Sequence, residues 1–175
     1  LAGCRARLIR RVWGRRVRAT MRGMLVEAAG ALAAAGVGGM VWAVRGRSSR
    51  VFGPSVWRGN RQRRAIALTF DDGPGESTPE LLDLLDRYGA RATFFLCGAN
   101  VRRRPAAARE TARRGHQIGN HSEDHRLLCL RRTAFIRQQL ATAQRTIADA
   151  TGVVPAVFRA PYGARWFGLR EVQEE

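Results

Sequence analysis

Apolar and polar positions follow two rhythms along this chain. From residue 24 to residue 44 the sequence is apolar almost without interruption, with Glu27 as its one charge. Those 21 residues match the ~20 that cross a bilayer and exceed the ~7–15 of a signal-peptide core. Glu27 lies within a turn of one end, where its carboxylate can reach the interface at reduced cost. The stretch therefore reads first as a membrane anchor. A cleaved signal, with small residues before Arg45 as its processing site, ranks second, and a soluble amphipathic helix third.

Beyond residue 64, short apolar runs alternate with longer amphipathic ones. Residues 66–70 (IALTF) read as a buried strand that stops at Asp71 and Asp72, where Gly73 and Pro74 turn the chain. Ser77 or Thr78 can cap a helix that begins with Pro79, turns Leu81, Leu82, Leu84 and Leu85 inward, and ends at Gly89. Residues 92–97 (ATFFLC) form a second, buried strand. A helix over 105–114 ends at Gly115, and 117–119 is a short third strand leading into Asn120 and His121. Residues 133–150 make a long helix with Phe135, Ile136, Leu140 and Ile147 as its apolar stripe, stopped at Gly152. Residues 157–159 form a fourth strand, and GLREVQEE a last helix. Strands alternating with helices predict an α/β fold of βαβ units on a parallel sheet. The expected organisation is a basic segment (1–23), the apolar helix (24–44), a basic linker (45–64) and one domain (65–175).

Charge sharpens that division. The chain carries a net charge of +17, and all 31 of its basic residues are Arg. Residues 1–64 hold 15 of them against Glu27 alone, for +14, whereas 65–175 hold 16 against 13 acids, for +3. An Arg-rich nucleic-acid binder needs its cations on the folded face, so this distribution argues against that class. Exclusive use of Arg fits a GC-rich coding bias. Arg flanks the apolar stretch on both sides, eight before it and seven over 45–64, so the positive-inside rule selects no orientation. Cys4, Cys97 and Cys129 are odd in number and contain no C-x-x-C pair, so neither a disulfide framework nor a thiolate zinc site is supported. Cys97 reads as a small core residue. The chain starts at Leu1, and Met21 or Met24 is an alternative start.

Three stretches carry chemistry, and each follows a predicted strand. The first is Asp71-Asp72, whose side chains a strand would turn to opposite faces and so to different jobs. The second is His121-Ser122-Glu123-Asp124-His125. Imidazoles at i and i+4 converge on one ion if the segment turns helically, and one carboxylate more completes a three-ligand site with open positions. Of the two Asp residues, one can bind the metal while the other serves as base; a dication nearby favours the ionised form that a base needs. The third is Arg159-Ala160-Pro161-Tyr162-Gly163, where Arg159 can orient a carboxylate and the bend can aim a backbone N–H into the site. Each stretch alone has a plainer reading: a turn cap, two solvated histidines, a solvated arginine. Their joint arrival at one sheet edge favours the metal. Glu123 and Asp124 are expected to face away, and His116 to be a surface or hinge residue.

TFDDGP, HSEDH and RAPYG, in that order, resemble the first three motifs of the polysaccharide deacetylase family, the NodB-homology domain of carbohydrate esterase family 4. The likeness runs from about residue 65 to the end. It implies a distorted (β/α) barrel and metal-dependent hydrolysis of N- or O-acetyl groups on sugars. It further implies Asp71 as catalytic base, Asp72, His121 and His125 as metal ligands, Arg159 orienting the base, and the Tyr162 backbone N–H holding the oxyanion. The partner implied is an N-acetylated cell-wall or other glycan. The protein would be membrane-anchored through residues 24–44 with its catalytic domain outside the cytoplasm, or secreted. Zinc suits the Asp-His-His set best, with cobalt, nickel or iron as alternatives. The family's two later motifs, an Asp-Trp stretch and a Leu-x-His stretch carrying the general acid, are not in this sequence. About 111 residues follow the linker, where a closed barrel usually takes ~200 or more. A C-terminally incomplete domain is therefore expected, with about the first four βα units, an open sheet edge, poor solubility and little activity alone. A non-catalytic metal- or glycan-binding remnant of the same fold is the second reading.

Overall fold

A computed structural model describes residues 2–62 and 64–174, with side chains described over 21–62 and 64–173. The chain divides into two compact units at the Trp42–Ala43 bond. Helix α1 (Ala2–Arg45) runs 44 residues, so it continues through the basic segment as well as the apolar one. Within it, an 18-residue stretch of Met21–Arg45 has a mean hydropathy of 1.6 and is not buried by the described residues. By length and composition that portion can cross a membrane.

The second unit is built on three parallel strands in the order β1 (Leu68–Gly73), β2 (Ala92–Leu96), β3 (Gln117–Asn120). Between them come α2 (Thr78–Arg87), α3 (Gly98–Arg103) and α4 (Pro105–Arg113); α5 (Thr133–Thr151) and α6 (Leu169–Glu174) follow β3. Pairing in register sets Gly73 against Leu96 and Leu96 against Asn120. The carboxyl ends of all three strands therefore lie level, which brings Asp72, at the end of β1, to the same edge as Cys97 and His121, the residues that follow β2 and β3. Parallel α/β sheets gather their chemistry at this edge.

One core cluster fills the space between sheet and helices: Phe94 and Leu96 from β2, Ile118 from β3, Leu82 and Leu85 from α2, and Ala143 and Ile147 from α5. Phe94 lies at its centre, fully buried, and truncating it to Ala would cost about 3–5 kcal/mol. A second cluster joins Ile136 and Leu140 of α5 to Leu128 and Leu169. Helix α5 thus serves both clusters along one stripe, at the i, i+4, i+7 spacing that puts residues on one face. Gly152 ends it in the left-handed conformation (φ 73°), and its N–H reaches the Ala148 carbonyl.

Several sequence expectations need correction. The first strand starts at Leu68 rather than 66, runs on through Asp71 and Asp72, and is not buried: Leu68 is exposed and Ile66 is 87% exposed. β1 is the edge of the described sheet, with β2 as its only strand neighbour there. Leu84 faces solvent while Leu82 and Leu85 hold the core, because a short surface helix buries only a narrow stripe. The expected fourth strand is reduced to a single parallel bridge between Phe158 and Asn120. Pro155 just before it restricts the backbone, and no further described strand pairs with it. Helix α3 was not foreseen; its run of Arg conceals the buried Val101. His116 is neither surface nor hinge. It is 5% exposed, its ring lies 5.3 Å from Phe94, and its Nδ1 accepts the Ala92 N–H at 3.3 Å. Within the expected linker, Ser49 and Phe52 are buried, Phe52 against Trp166 and Phe167.

Candidate metal and catalytic site

The Asp-Asp pair sits on a break in the β1 ladder. Register shifts between Phe70 and Gly73, and Asp72 adopts a left-handed backbone (φ 62°). That irregularity, rather than simple alternation, separates the two carboxylates. Asp71 accepts a hydrogen bond from Arg159 Nη1 at 2.7 Å, and the same nitrogen donates to Thr69 Oγ1 at 3.0 Å. The guanidinium stacks over the Phe95 ring, 4.1 Å from its centroid. Its backbone is fixed too, since Arg159 N–H donates to the Asn120 carbonyl at 3.0 Å. A planar donor held by ring, hydroxyl and bridge is a rigid support for Asp71.

Asp72 turns instead toward the two histidines. His125 Nε2 lies 3.1 Å and His121 Nε2 3.4 Å from Asp72 Oδ1, and one donor atom from each residue falls within 4.8 Å of the other two. The i, i+4 pair comes together without the helical turn that the sequence reading sets as its condition. The 121–125 loop is irregular, with Ser122 (φ 67°) and His125 (φ 57°) both left-handed. Residues held in such regions cost about 1–3 kcal/mol each and persist where surrounding contacts over-determine them. Those contacts are identifiable. His121 N–H donates to Leu96 O (2.9 Å), and the α3 amides of Gly98 and Ala99 donate to Ser122 O and Glu123 O (3.1 and 2.8 Å). Asn120 Oδ1 accepts the Ser122 N–H (2.9 Å), while its amide binds Leu140 O and Gln144 on α5. Gln139 Oε1, also on α5, accepts both the Glu123 and Asp124 N–H groups (3.2 and 3.3 Å).

The donor set suits a cation. His121 Nδ1 lies 2.7 Å from the Arg159 carbonyl, which can only accept, so Nδ1 carries the proton in the neutral ring. Burial holds His121 below its ordinary pKa and so favours that neutral ring. Its Nε2 lone pair then faces the Asp72 carboxylate, acceptor against acceptor, a juxtaposition that a positive ion between them relieves. Two imidazoles and one carboxylate make the three-ligand pattern of a catalytic divalent site.

Other residues fall as follows. Glu123 lies against Arg102 and Asp124 is paired with Arg126, and neither belongs to the Asp72–His121–His125 cluster. Cys97 is buried and its thiol is pushed up to about 12, first by burial and then by Asp72 and Asp71, which leaves it inert. Tyr162 lies in a tight turn (φ 58°) with its ring 4.7 Å from His125. The bonds that close this turn come from Gly163 and Ala164 N–H, not from Tyr162. Sequence reasoning missed Asn100, whose amide donates to the Asp72 carbonyl at 2.7 Å, and Gln139. Neither has a motif; an amide on an otherwise apolar helix face, as at Gln139, was the one available signal.

Comparison with known proteins bears on the family and the fold. The sequence profile of the polysaccharide deacetylase family matches residues 58–174. Peptidoglycan-N-acetylglucosamine deacetylase of Listeria monocytogenes is 42% identical over 112 residues, covering 63% of this chain and 24% of the relative. The chain spans about a quarter to two fifths of the length of the first curated relatives it matches. Among solved structures, a family 4 carbohydrate esterase from Streptomyces lividans in complex with acetate superposes with a TM-score of 0.60 at 37% identity. The match covers 62% of this chain and 57% of that one. A family 4 pseudoenzyme from Bacillus anthracis superposes at 0.63 with 28% identity, covering 67% of this chain and 42% of that one. The fold is thus of the NodB-homology type, and the chain belongs to the polysaccharide deacetylase family.

Proposed function

We propose that this chain carries the metal-binding half-site of a deacetylase that hydrolyses N-acetyl groups on a glycan. One observation carries the reading: Asp72, at the end of β1, converges with His121 and His125, in the loop after β3, directly beside an Asp71 that is fastened to Arg159. Asp72 and the two histidines would hold a divalent cation, zinc first among candidates by donor type. Such a cation, when bound, supplies Lewis acidity toward water and toward an acetamide carbonyl.

The residues of the chain do the rest. Asp71 takes the proton of the attacking water as general base, and Arg159 keeps its carboxylate aimed. As the carbonyl carbon becomes tetrahedral, its oxygen gains charge, and the Tyr162 N–H, presented by the 161–163 turn, donates to it. As the C–N bond breaks, the nitrogen takes up the proton that Asp71 removed from the water, directly or through solvent, giving acetate and a glucosamine-type amine. Relatives named for peptidoglycan and for chitooligosaccharide deacetylation support an N-acetylated glycan as substrate. The apolar span within α1 supports a membrane anchor or exported leader, with residues 45–64 joining it to the catalytic domain outside the cytoplasm. Zinc-loaded protein should release acetate from an N-acetylated chito-oligosaccharide only slowly, as expected of a chain without the family's general-acid motif, and Asp71→Asn should lower that slow rate further while keeping the metal. Protein that binds zinc but releases no acetate would favour the second reading, a non-catalytic metal- or glycan-binding remnant; likeness to a pseudoenzyme supports that alternative.

A further inference from the structure

The mouth of the candidate site is not electrically neutral. An open pocket of about 610 Å³ is bordered by His125 and Tyr162 on the side of the metal-compatible cluster. It is also bordered by Arg45, Arg126 and Arg131, with Asp124 as the one carboxylate of the lining. Asp124 is occupied by Arg126 at 2.9 Å. Arg131 lies over the Phe135 ring, 5.3 Å from its centroid, a contact that leaves its charge uncompensated. Arg45 has no acidic partner among the described residues. Two exposed guanidinium groups therefore face a pocket that holds no free anion for them.

Arg45 is placed there by design of the backbone around it. Arg165, three residues after Tyr162, binds both flanks of Arg45: its N–H donates to Val44 O at 3.1 Å and its guanidinium to Gly46 O and to Ser49 O. Ser49 Oγ donates in turn to Ala43 O at 2.9 Å. A residue that merely trailed from a helix end would not be fixed on both sides by the loop carrying Tyr162. The clamp holds the backbone that carries Arg45, a pocket-lining residue, and planar guanidinium groups are the side chains best matched to carboxylate and phosphate oxygens.

We infer that Arg45 and Arg131 bind an anionic substituent, carboxylate or phosphate, on the N-acetylated glycan, so that an acidic glycan is preferred over a neutral one of the same length. The inference rests on the glycan reading above and adds the charge of the ligand to it. Both cations are solvent-exposed, so each contributes modestly and their effect is screened by salt.

The test is a pair of dissociation constants for the zinc-loaded 175-residue chain in neutral detergent. One ligand is an N-acetylated oligosaccharide bearing a carboxylate, and the other is its methyl ester. A phosphorylated oligosaccharide of equal length shows which anion is preferred. The expected result is a preference for acid over ester of roughly threefold to tenfold at low salt, falling as salt rises. In Arg45→Gln/Arg131→Gln the ratio should collapse to about 1, with zinc content certifying that the variant is folded. Equal affinity of the unsubstituted chain for acid and ester would overturn the inference and leave Arg45 as a cation flanking an apolar helix. A preference that survives in the double variant would overturn it as well. Binding of neither ligand would sink the glycan reading itself, an outcome distinct from equal binding of both.

Discussion

His116 shows how a residue's surroundings set its chemistry. Its Nδ1 accepts a backbone N–H, so the neutral ring carries its proton on Nε2, in a buried place with no partner for that atom among the described residues. Burial and the nearby Arg91 hold its pKa below the ordinary value, and His121 is displaced in the same direction, chiefly by burial. For both, the unfolded chain takes up protons before the folded one as pH falls. The stability they contribute is full above about 6.5 and declines as pH drops from there through the folded-state values. Urea unfolding of metal-free protein at pH 7.5, 6.0 and 5.0 should show that decline, and His116→Gln should flatten part of it. A variant as pH-sensitive as the parent would refute the assignment. The turn signal Arg114-Gly115 pointed the sequence reading of His116 outward; the ring is instead drawn in by Phe94, a contact that nothing local in the sequence encodes.

At the scale of elements, the site depends on how α3 and α5 hold one loop. TFDDGP, HSEDH and RAPYG were legible because each is a contiguous string of unusual residues. What brings them together was not: four non-glycine residues at the site, Asp72, Ser122, His125 and Tyr162, take left-handed backbones that carry no sequence signature. Gln139 and Asn100 were equally hidden, because their partners are backbone groups 16 and 28 positions away. Gln139→Ala leaves the Glu123 and Asp124 amides without an acceptor. It should cost about 1–3 kcal/mol of stability in denaturant unfolding and about tenfold or more in metal affinity. Unaltered metal affinity would mean that the loop keeps its shape without α5. Gly98 belongs to the same device. A Cβ there would sit 2.9 Å from the Glu123 carboxyl carbon and 3.1 Å from the Ala143 backbone, so only glycine allows α3 to approach the loop and α5 this closely.

Across the whole molecule, alternation of strands and helices correctly announced a parallel α/β sheet, since that period depends on local pattern alone. The burial of the first strand and the extent of the fourth were misjudged, because both depend on how many neighbouring strands are present. Part of the segment read from sequence as a basic linker packs on residues near the end of the chain. Phe52 packs 4.9 Å from Phe167 and 5.9 Å from Trp166, ring centre to ring centre, and Arg165 holds the carbonyls of Gly46 and Ser49. Arg and Gly composition reads as solvated, yet a single buried aromatic suffices to pin such a segment. Arg165→Ala should release it, and trypsin should then cleave at Arg47 and Arg50 several-fold faster than in the parent, with the domain otherwise intact. Equal cleavage rates would show that the aromatic contact alone closes the segment.

The most direct test of the central claim is the metal content and zinc affinity of the 175-residue chain beside Asp72→Ala, His125→Ala and Asp71→Asn. The geometry predicts about one equivalent of zinc in the parent and in Asp71→Asn, and its loss in the other two. A folded parent that takes up no zinc, or zinc retained without Asp72 and His125, would contradict the assignment.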